Sequence, residues 1–344
     1  MEPTLANGAA VVEMAADPAH AYRDLLPISS PELIDEGLMV RTPCIPAGKL
    51  GKAIGVPRMW LKNESVQPTG TTKDRMAALV VAVFRQLGIN EFVASSTGNS
   101  STALARAVAR DERMRAHFFC GRDFVPFHRF EPSERISLTV VDGSYATAGD
   151  VARSFAKEQG LCWEGGFFNW ARRAGLKTAY LEAFDEMTEP PDVIVQAISS
   201  GMGVVAAFTG VKEYIQLGRL AAMPRFVMVQ QDTCSPMATA WRDGRYELHD
   251  SDIVDRPSGL ATAILLGDGS EFYPYIARIA AETSGNIVAV AQEDLVSTRK
   301  MIMALEGIDA CYSAAAAVAG VAAEARAGRI DSRDVVLVNL TGRY

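Results

Sequence analysis

The sequence predicts an α/β fold, because strand-like and helix-like segments alternate from about residue 58 onward. Short apolar runs typical of buried strands are separated by helices of a length that indicates parallel βαβ units. Three loops rich in small polar residues and glycine also follow predicted strands, which is where ligands bind in open parallel sheets. These observations favour a ligand-binding protein built on open, twisted, parallel sheets.

The predicted elements alternate in order after residues 1–20, which are expected to form a flexible lead-in, and an ordered arm at Ala21–Pro27. Short apolar runs, such as DVIVQAI in 192–198, identify the strands. They cover 58–62, 91–95, 117–120, 138–141, 192–198, 225–230, 286–290 and 335–340. Longer segments between the strands identify the helices, with an alanine-rich packed helix as the last. They cover 73–87, 99–110, 147–159, 175–186, 203–217 and 313–323.

The composition is that of a globular protein, with 49% hydrophobic and 22% charged residues. It excludes a disordered chain, a coiled coil and a collagen. The net charge of −7 and the absence of a basic run argue against a nucleic-acid partner. No run of about 20 apolar residues or signal-peptide pattern occurs, so we expect a cytoplasmic protein without a membrane partner. Widely spaced cysteines and scattered histidines indicate neither a disulfide framework nor a metal site.

A lysine stands just inside the start of a predicted helix, in the segment Gln67–Arg75 (QPTGTTKDR). Thr71 or Thr72 can cap this helix. Because the helix dipole disfavours a cation at this end, the position is expected to lower the pKa of Lys73. A lysine of this kind suits nucleophilic attack on a carbonyl group. The segment alone also allows a solvated lysine at a helix edge.

Two further loops join a strand to a helix and are rich in hydrogen-bonding groups. Ser199–Gly203 (SSGMG) offers backbone N–H groups and hydroxyls that suit a small phosphate monoester. It lacks the GK[ST] of a P-loop and a complete GxGxxG fingerprint, and a simple tight turn stays open. In Ser95–Ser101 (SSTGNSS), several hydroxyl and amide side chains meet one helix start. Their number favours recognition of a carboxylate or phosphate over plain helix capping.

Taken together, these motifs resemble the fold-type II pyridoxal phosphate enzymes in order and spacing. The motifs are Lys62–Glu64 leading into PTGTTKDR, then STGNS, SSGMG and Thr341–Gly342. That family includes threonine synthase, cysteine synthase, serine dehydratase and cysteate synthase. The segments YRDLLP and PTGTTKDR are similar to threonine synthase, whereas about 140–320 is more similar to cysteate synthase. Phe167 departs from the pattern, because threonine synthases tend to carry a serine there that helps to hold the substrate phosphate.

The resemblance implies a tryptophan synthase beta-like fold, with two open, twisted, parallel-sheet domains and the cofactor in the cleft between them. Residues 88–174 are expected to form a small, mobile, substrate-binding domain. Residues 21–87 and 175–344 are expected to form a large domain that binds the cofactor. A homodimer is usual in this family.

The resemblance also implies roles for single residues, with pyridoxal 5'-phosphate as the cofactor. Lys73 is expected to be catalytic and to form a Schiff base with the cofactor, while Asn99 contacts its ring hydroxyl and Thr341 faces its pyridine nitrogen. The residues implied to bind the cofactor phosphate are Ser199, Ser200, Gly201, Met202 and Gly203. The residues implied to bind the substrate are Ser96, Thr97, Ser100 and Arg172. For Arg172, whose planar fork suits a phosphate or sulfonate, a surface ion pair is the alternative reading.

The implied activity is β-replacement on an O-phosphorylated or otherwise activated L-amino acid through an aminoacrylate. Cysteate synthase-like chemistry, joining O-phosphoserine with sulfite or a related nucleophile, fits the resemblance best. Three alternatives stay open. They are threonine synthase acting on O-phosphohomoserine and water, a serine or threonine dehydratase-type lyase, and a non-catalytic homologue that binds the cofactor.

Overall fold

The computed structural model describes residues 17–343, in which helices pack on two β-sheets. The strands are β1 Cys44–Pro46, β2 Met59–Asn63, β3 Glu91–Ser95, β4 Arg115–Gly121, β5 Ile136–Val141, β6 Cys162–Trp163, β7 Val193–Ala197, β8 Arg225–Gln231, β9 Asn286–Val290 and β10 Val336–Leu340. The helices are α1 Pro18–Ala21, α2 Gly48–Ile54, α3 Lys73–Gln86, α4 Asn99–Ala109, α5 Tyr145–Gln159, α6 Trp170–Glu186, α7 Met202–Gln216, α8 Pro236–Arg242, α9 Tyr273–Glu282, α10 Gln292–Glu306 and α11 Tyr312–Arg326.

The larger sheet has the strand order β1-β2-β10-β7-β8-β9. Its central strand β7 is buried on both faces, because Val193 and Val195 pack towards α11 whereas Ile194 packs with α3, α6 and α7. All neighbours are parallel except β1, which runs antiparallel to β2. The prediction of a wholly parallel sheet is therefore wrong at this edge. Pro46 lies in β1, and an edge strand tolerates the missing N–H donor of a proline.

The smaller sheet has the strand order β5-β4-β3-β6, and all of its pairs are parallel. Its strands come from one stretch of the chain, 91–163, inside the range predicted for a small domain. β3 of this sheet leads into α4, and β7 of the larger sheet leads into α7. Both helix starts open onto the same cavity. The domain limits and the mobility of the smaller part stay predictions.

The predicted strands and helices are all present, and the clearest difference in bounds is the start of α6. It begins at Trp170 rather than Gly175, because the side chain of Asn169 accepts a hydrogen bond from the N–H of Ala171 at 2.9 Å and caps the helix. The prediction missed the short elements β1, β6, α2 and α8, which carry little periodic pattern, and also the longer helices α9 and α10.

The flexible lead-in predicted for 1–20 lies mostly outside the described residues. Its described part, from Asp17, contains the short helix α1, which Asp17 caps and in which Ala19 is buried, while the flexibility of the lead-in stays a prediction. The following Tyr22 is also buried, and its hydroxyl donates to Asp185 at 2.9 Å. Among residues 17–343, no helix has both the length and the apolar character needed to cross a bilayer.

Candidate active site

The loop before α3 is held by its own hydrogen bonds and by the segment after β10. The backbone N–H and the hydroxyl of Thr69 donate to Asp74 at 2.6 and 3.0 Å. The N–H of Thr72 donates to the carbonyl of Thr341 at 2.9 Å. The N–H of Lys73 donates to the Thr71 hydroxyl at 3.3 Å, whereas Thr72 makes no side-chain capping bond. These hydrogen bonds fix the start of the helix from which Lys73 projects.

A buried network of charges lies behind Lys73 and connects α3 with β2 and α6. Arg75 is fully buried and pairs with Glu64 and Glu182, each at 2.7 Å. Glu182 also pairs with buried Lys62 at 2.7 Å. Two cations and two carboxylates balance, so burial leaves no uncompensated charge in this cluster. The Lys62–Glu64 motif singled out in the sequence is thus part of the support for the lysine helix.

Burial and, to a smaller extent, the positive charge of Arg172 together lower the pKa of the Lys73 amine to about 8. The sequence predicted the direction of this shift but assigned it to the helix dipole. Removal from water is the larger cause, because it penalises the charged form of an amine. A pKa near 8 leaves a substantial fraction of neutral amine at neutral to mildly alkaline pH, as a nucleophile or general base requires.

One cavity brings together every residue predicted to contact the cofactor. Lys73 and Asn99 line it, together with the Ser199–Gly203 loop and Thr341. The sequence reasoning missed further polar residues of the same wall, which include Tyr180, Gln196, Ser313 and Asn339. Gln196 and Asn339 are polar residues inside apolar strands, and that interruption was the signal available in the sequence.

The loop between β7 and α7 is shaped to receive an anion. Within residues 17–343, no backbone carbonyl accepts a hydrogen bond from the N–H groups of Ser199–Gly203. Gly201 has a φ of +81°, and a Cβ there would lie 2.2 Å from Cδ1 of Ile276. A Cβ on Gly203 would lie 2.2 Å from Nε2 of Gln196. The glycines therefore permit a turn that aims free N–H donors at the cavity.

The loop between β3 and α4 organises itself around Ser96. The buried Ser96 hydroxyl accepts hydrogen bonds from the N–H groups of Gly98 at 3.0 Å and Ser101 at 3.2 Å. Thr97 lines a second cavity that shares Asn99 with the first. Ser100 is half-buried in the first turn of α4. The substrate contacts predicted for Ser96, Thr97 and Ser100 stay predictions.

Arg172 lies in the first turn of α6 and is paired with a carboxylate of its own chain. It is buried, and both its Nε, at 2.5 Å, and its Nη2 donate to Glu164. Its charge still reaches the amine of Lys73. Phe167 packs against Phe272 and Tyr275, with ring centroids 4.8 and 5.7 Å apart, and is not among the residues lining the Lys73 cavity.

The family profile described as "Pyridoxal-phosphate dependent enzyme" matches residues 36–342. The chain belongs to this family. It is similar to the threonine synthase of Halalkalibacterium halodurans, with 26% identity over 327 residues that cover 93% of this chain and 87% of the relative. It is also similar to the cysteate synthase of Methanospirillum hungatei JF-1, with 26% identity over 347 residues that cover 93% and 78% of the two chains.

Solved structures show the fold-type II architecture. The threonine deaminase isoform 2 of Solanum lycopersicum matches with a TM-score of 0.70 and 16% identity over 90% of this chain and 85% of its own. Maize serine racemase matches with a TM-score of 0.70 and 18% identity over 88% of both chains. The protein is thus a pyridoxal phosphate-dependent enzyme of lyase or transferase type with the fold-type II architecture.

The cavity fits pyridoxal 5'-phosphate. The unpaired N–H groups before α7 suit its phosphate, and the glycines leave no Cβ in the way. Asn339 is buried in the same wall, and its Oδ1 has no hydrogen-bond partner within the described part of the chain. Lys73 offers a neutral amine for the aldehyde carbon, and Thr341 offers an uncharged hydroxyl. These residues would therefore hold the cofactor.

The lowered pKa predicts how covalent attachment of the cofactor depends on pH. When cofactor is added to the apoprotein, the rate of attachment should rise with pH and reach half its maximum near pH 8, following the neutral Lys73 amine. Absorbance during stopped-flow reconstitution at a series of pH values measures this midpoint. Arg172→Gln should move the midpoint to higher pH, because it removes the cation that assists deprotonation.

Arg173→Gln is the matched control for this pH series. It removes a neighbouring arginine that is absent from the causes of the Lys73 shift. It should leave the midpoint unchanged. A wild-type midpoint close to that of an ordinary lysine would show that the amine is not desolvated.

Gly201→Ala should weaken cofactor binding by at least about tenfold. The side chain would meet Ile276, and the positive φ of 81° is a conformation that costs an L-residue about 1–2 kcal/mol. Gly149→Ala is the control, because a Cβ there meets nothing within 4 Å. Equilibrium dialysis of both variants gives the two dissociation constants. Equal affinities would mean that the turn before α7 does not shape the phosphate site.

Proposed function

We propose that this enzyme catalyses β-replacement on an activated L-amino acid, with O-phosphoserine as the substrate and sulfite or a related sulfur nucleophile as the second reactant. The observation that carries the proposal is the shared cavity. A lysine with a pKa near 8 faces both the anion-binding turn before α7 and the polar start of α4. The similarity to cysteate synthases over 93% of the chain supports the choice of reactants.

The residues of the chain divide the work of the reaction. Bound pyridoxal phosphate supplies an electron sink for the charge that develops at the substrate Cα. Lys73 Nζ takes the α-proton as a general base and later returns it. The hydroxyls of Thr97 and Ser100 and the N–H groups at the start of α4 hold the α-carboxylate. Ser96 keeps that turn in shape through its bonds to Gly98 and Ser101.

The hydroxyl of Thr341 would offer the pyridine nitrogen an uncharged partner in place of a carboxylate, which would keep a proton on the ring. An electron sink of moderate strength favours loss of a β-substituent from the substrate and its replacement by a nucleophile. Contact of Arg172 with the acidic end of the substrate stays a prediction from the family resemblance. To make this contact with its whole fork, Arg172 would have to release Glu164, to which it now donates two hydrogen bonds.

The test offers the holoenzyme O-phospho-L-serine and O-phospho-L-homoserine in separate reactions, with and without sulfite. Released phosphate is measured with a coupled dye assay, and products are identified by mass spectrometry. Cysteate from O-phospho-L-serine and sulfite supports the proposal. Keto acid and ammonia from either compound would instead identify a dehydratase. No conversion of O-phospho-L-serine under any condition would refute the proposal.

Threonine synthase is the second candidate, because the similarity to threonine synthases also covers 93% of this chain at the same 26% identity. In that case O-phospho-L-homoserine and water should give threonine and phosphate. Phe167 supports the first candidate over this one, because its ring packs with Phe272 and Tyr275 and offers no hydroxyl to the cavity.

A further inference from the structure

A cleft lined by three arginines lies beside the Lys73 cavity. Arg106, Arg129 and Arg343 line it, with the backbone at Thr69 and the side chain of Glu131. We call these three residues the arginine cleft. Three cations and one carboxylate line the cleft, and the nearby Asp74 interacts with Arg106. The cleft is therefore net positive and suits an oxyanion.

Hydrogen bonds within the described chain do not use every donor of these arginines. Nη1 of Arg106 is buried and has no hydrogen-bond partner within residues 17–343. Nη2 of Arg129 donates to two uncharged acceptors, the carbonyl of Thr69 at 2.9 Å and the Asn99 amide oxygen at 3.3 Å. A buried guanidinium nitrogen without an acceptor is costly, and an oxyanion would satisfy it.

The arginine cleft connects with the reacting centre. Arg129 and Arg343 also line the second cavity, which contains Thr97 and shares Asn99 and Ser313 with the Lys73 cavity. The N–H of Arg343 donates to the carbonyl of Gly70 at 2.9 Å, and its side chain lies across Gly70. Backbone bonds thus hold Arg343 against the loop that carries Lys73.

We propose that Arg129 and Arg343, with Arg106 behind them, bind the tetrahedral oxyanion group of a reactant in the reaction proposed above. The phosphate of O-phosphoserine is the occupant that this placement favours, because Arg129 contacts the same Asn99 that faces Lys73. This inference rests on the proposed function for the identity of the substrate. The arginine cleft would bind the substrate phosphate without breaking the ion pair between Arg172 and Glu164.

The test uses the holoenzyme, whose cofactor already occupies the turn before α7, and the variant Arg343→Gln. This substitution keeps the backbone bond to Gly70 and removes the guanidinium group with its charge and donors. Binding of O-phospho-L-serine and of L-serine is followed by the visible spectrum, and binding of inorganic phosphate by calorimetry. Arg106→Gln is the second variant. Arg242→Gln, on an exposed face of α8 outside the cleft, is the matched control.

We expect Arg343→Gln to weaken the binding of O-phospho-L-serine by about 10- to 100-fold, as for loss of a charge-assisted hydrogen bond. The affinity for L-serine should stay unchanged. If the variant bound inorganic phosphate more weakly but O-phospho-L-serine with unchanged affinity, the cleft would belong to an oxyanion other than the substrate phosphate, and the inference would be wrong. Unchanged affinities for both phosphates, or equal losses that include L-serine, would overturn the inference.

The outcome is separable from that of the proposed function. If wild-type enzyme forms no product from O-phospho-L-serine but its affinity for inorganic phosphate still depends on Arg343 and Arg106, the activity is wrong and the site stands. If turnover of O-phospho-L-serine is normal in both variants and its KM is unchanged, the activity stands and the site is wrong.

Discussion

Lys73→Ala is expected to abolish the covalent attachment of pyridoxal phosphate and to lower turnover by at least about 1,000-fold, since one amine carries both attachment and proton transfer. Borohydride treatment followed by mass spectrometry detects a cofactor trapped on lysine. In the wild-type protein the added mass should map to Lys73, and in the variant it should be absent. The cofactor phosphate can still bind, because the turn before α7 is untouched.

Lys52→Ala is the matched control, since Lys52 is exposed on α2 and does not line the Lys73 cavity. Its adduct and its turnover should equal those of the wild-type protein. A trapped adduct on another lysine, or retained turnover in Lys73→Ala, would contradict the assignment of this amine.

Arg75→Met should lower the free energy of unfolding by about 3–5 kcal/mol, because it leaves the buried carboxylates of Glu64 and Glu182 without their shared cation. Urea unfolding followed by circular dichroism measures this loss. The exposed pair between Arg278 and Glu282 supplies the control, and Arg278→Met should destabilise the protein far less.

A second substitution tests whether the loss comes from unpaired charge. Adding Glu182→Gln to Arg75→Met removes one of the two carboxylates that Arg75 compensates and leaves Lys62 and Glu64 as buried charges of opposite sign, so the double variant should be more stable than the sum of the single losses predicts. Additive losses would show that the network contributes packing rather than charge compensation. Either single variant should also reduce cofactor affinity, because the network supports the helix that presents Lys73.

The sequence was informative where chemistry resides in contiguous residues. The segment around Lys73, the Ser199–Gly203 turn and the alternation of strands and helices each lie in one short stretch, so pattern and turn chemistry predict them. The cofactor residues predicted from these stretches do line one cavity. The binding roles of single side chains remain predictions.

The features that the sequence did not predict depend on partners far apart in the chain. Glu182 pairs with Arg75 across 107 positions, and Thr341 reaches the loop before Lys73 only because β10 lies beside β2. Asn339 and Gln196 meet across 143 positions at the wall of the cavity. The edge strand β1 was missed because a run of Cys44–Pro46 is too short to show a period.

The place of β10 at the centre of the larger sheet has a consequence for the order of folding. Val338 of β10 lies opposite Leu61, and Val336 lies opposite Val193, so this strand joins the two halves of the sheet. Pairing β10 with β2 requires closure of the long segment between them, which is slow, whereas all strands of the smaller sheet lie within residues 91–163. The smaller sheet should therefore gain protection from hydrogen exchange first during refolding, and the cavity walls last.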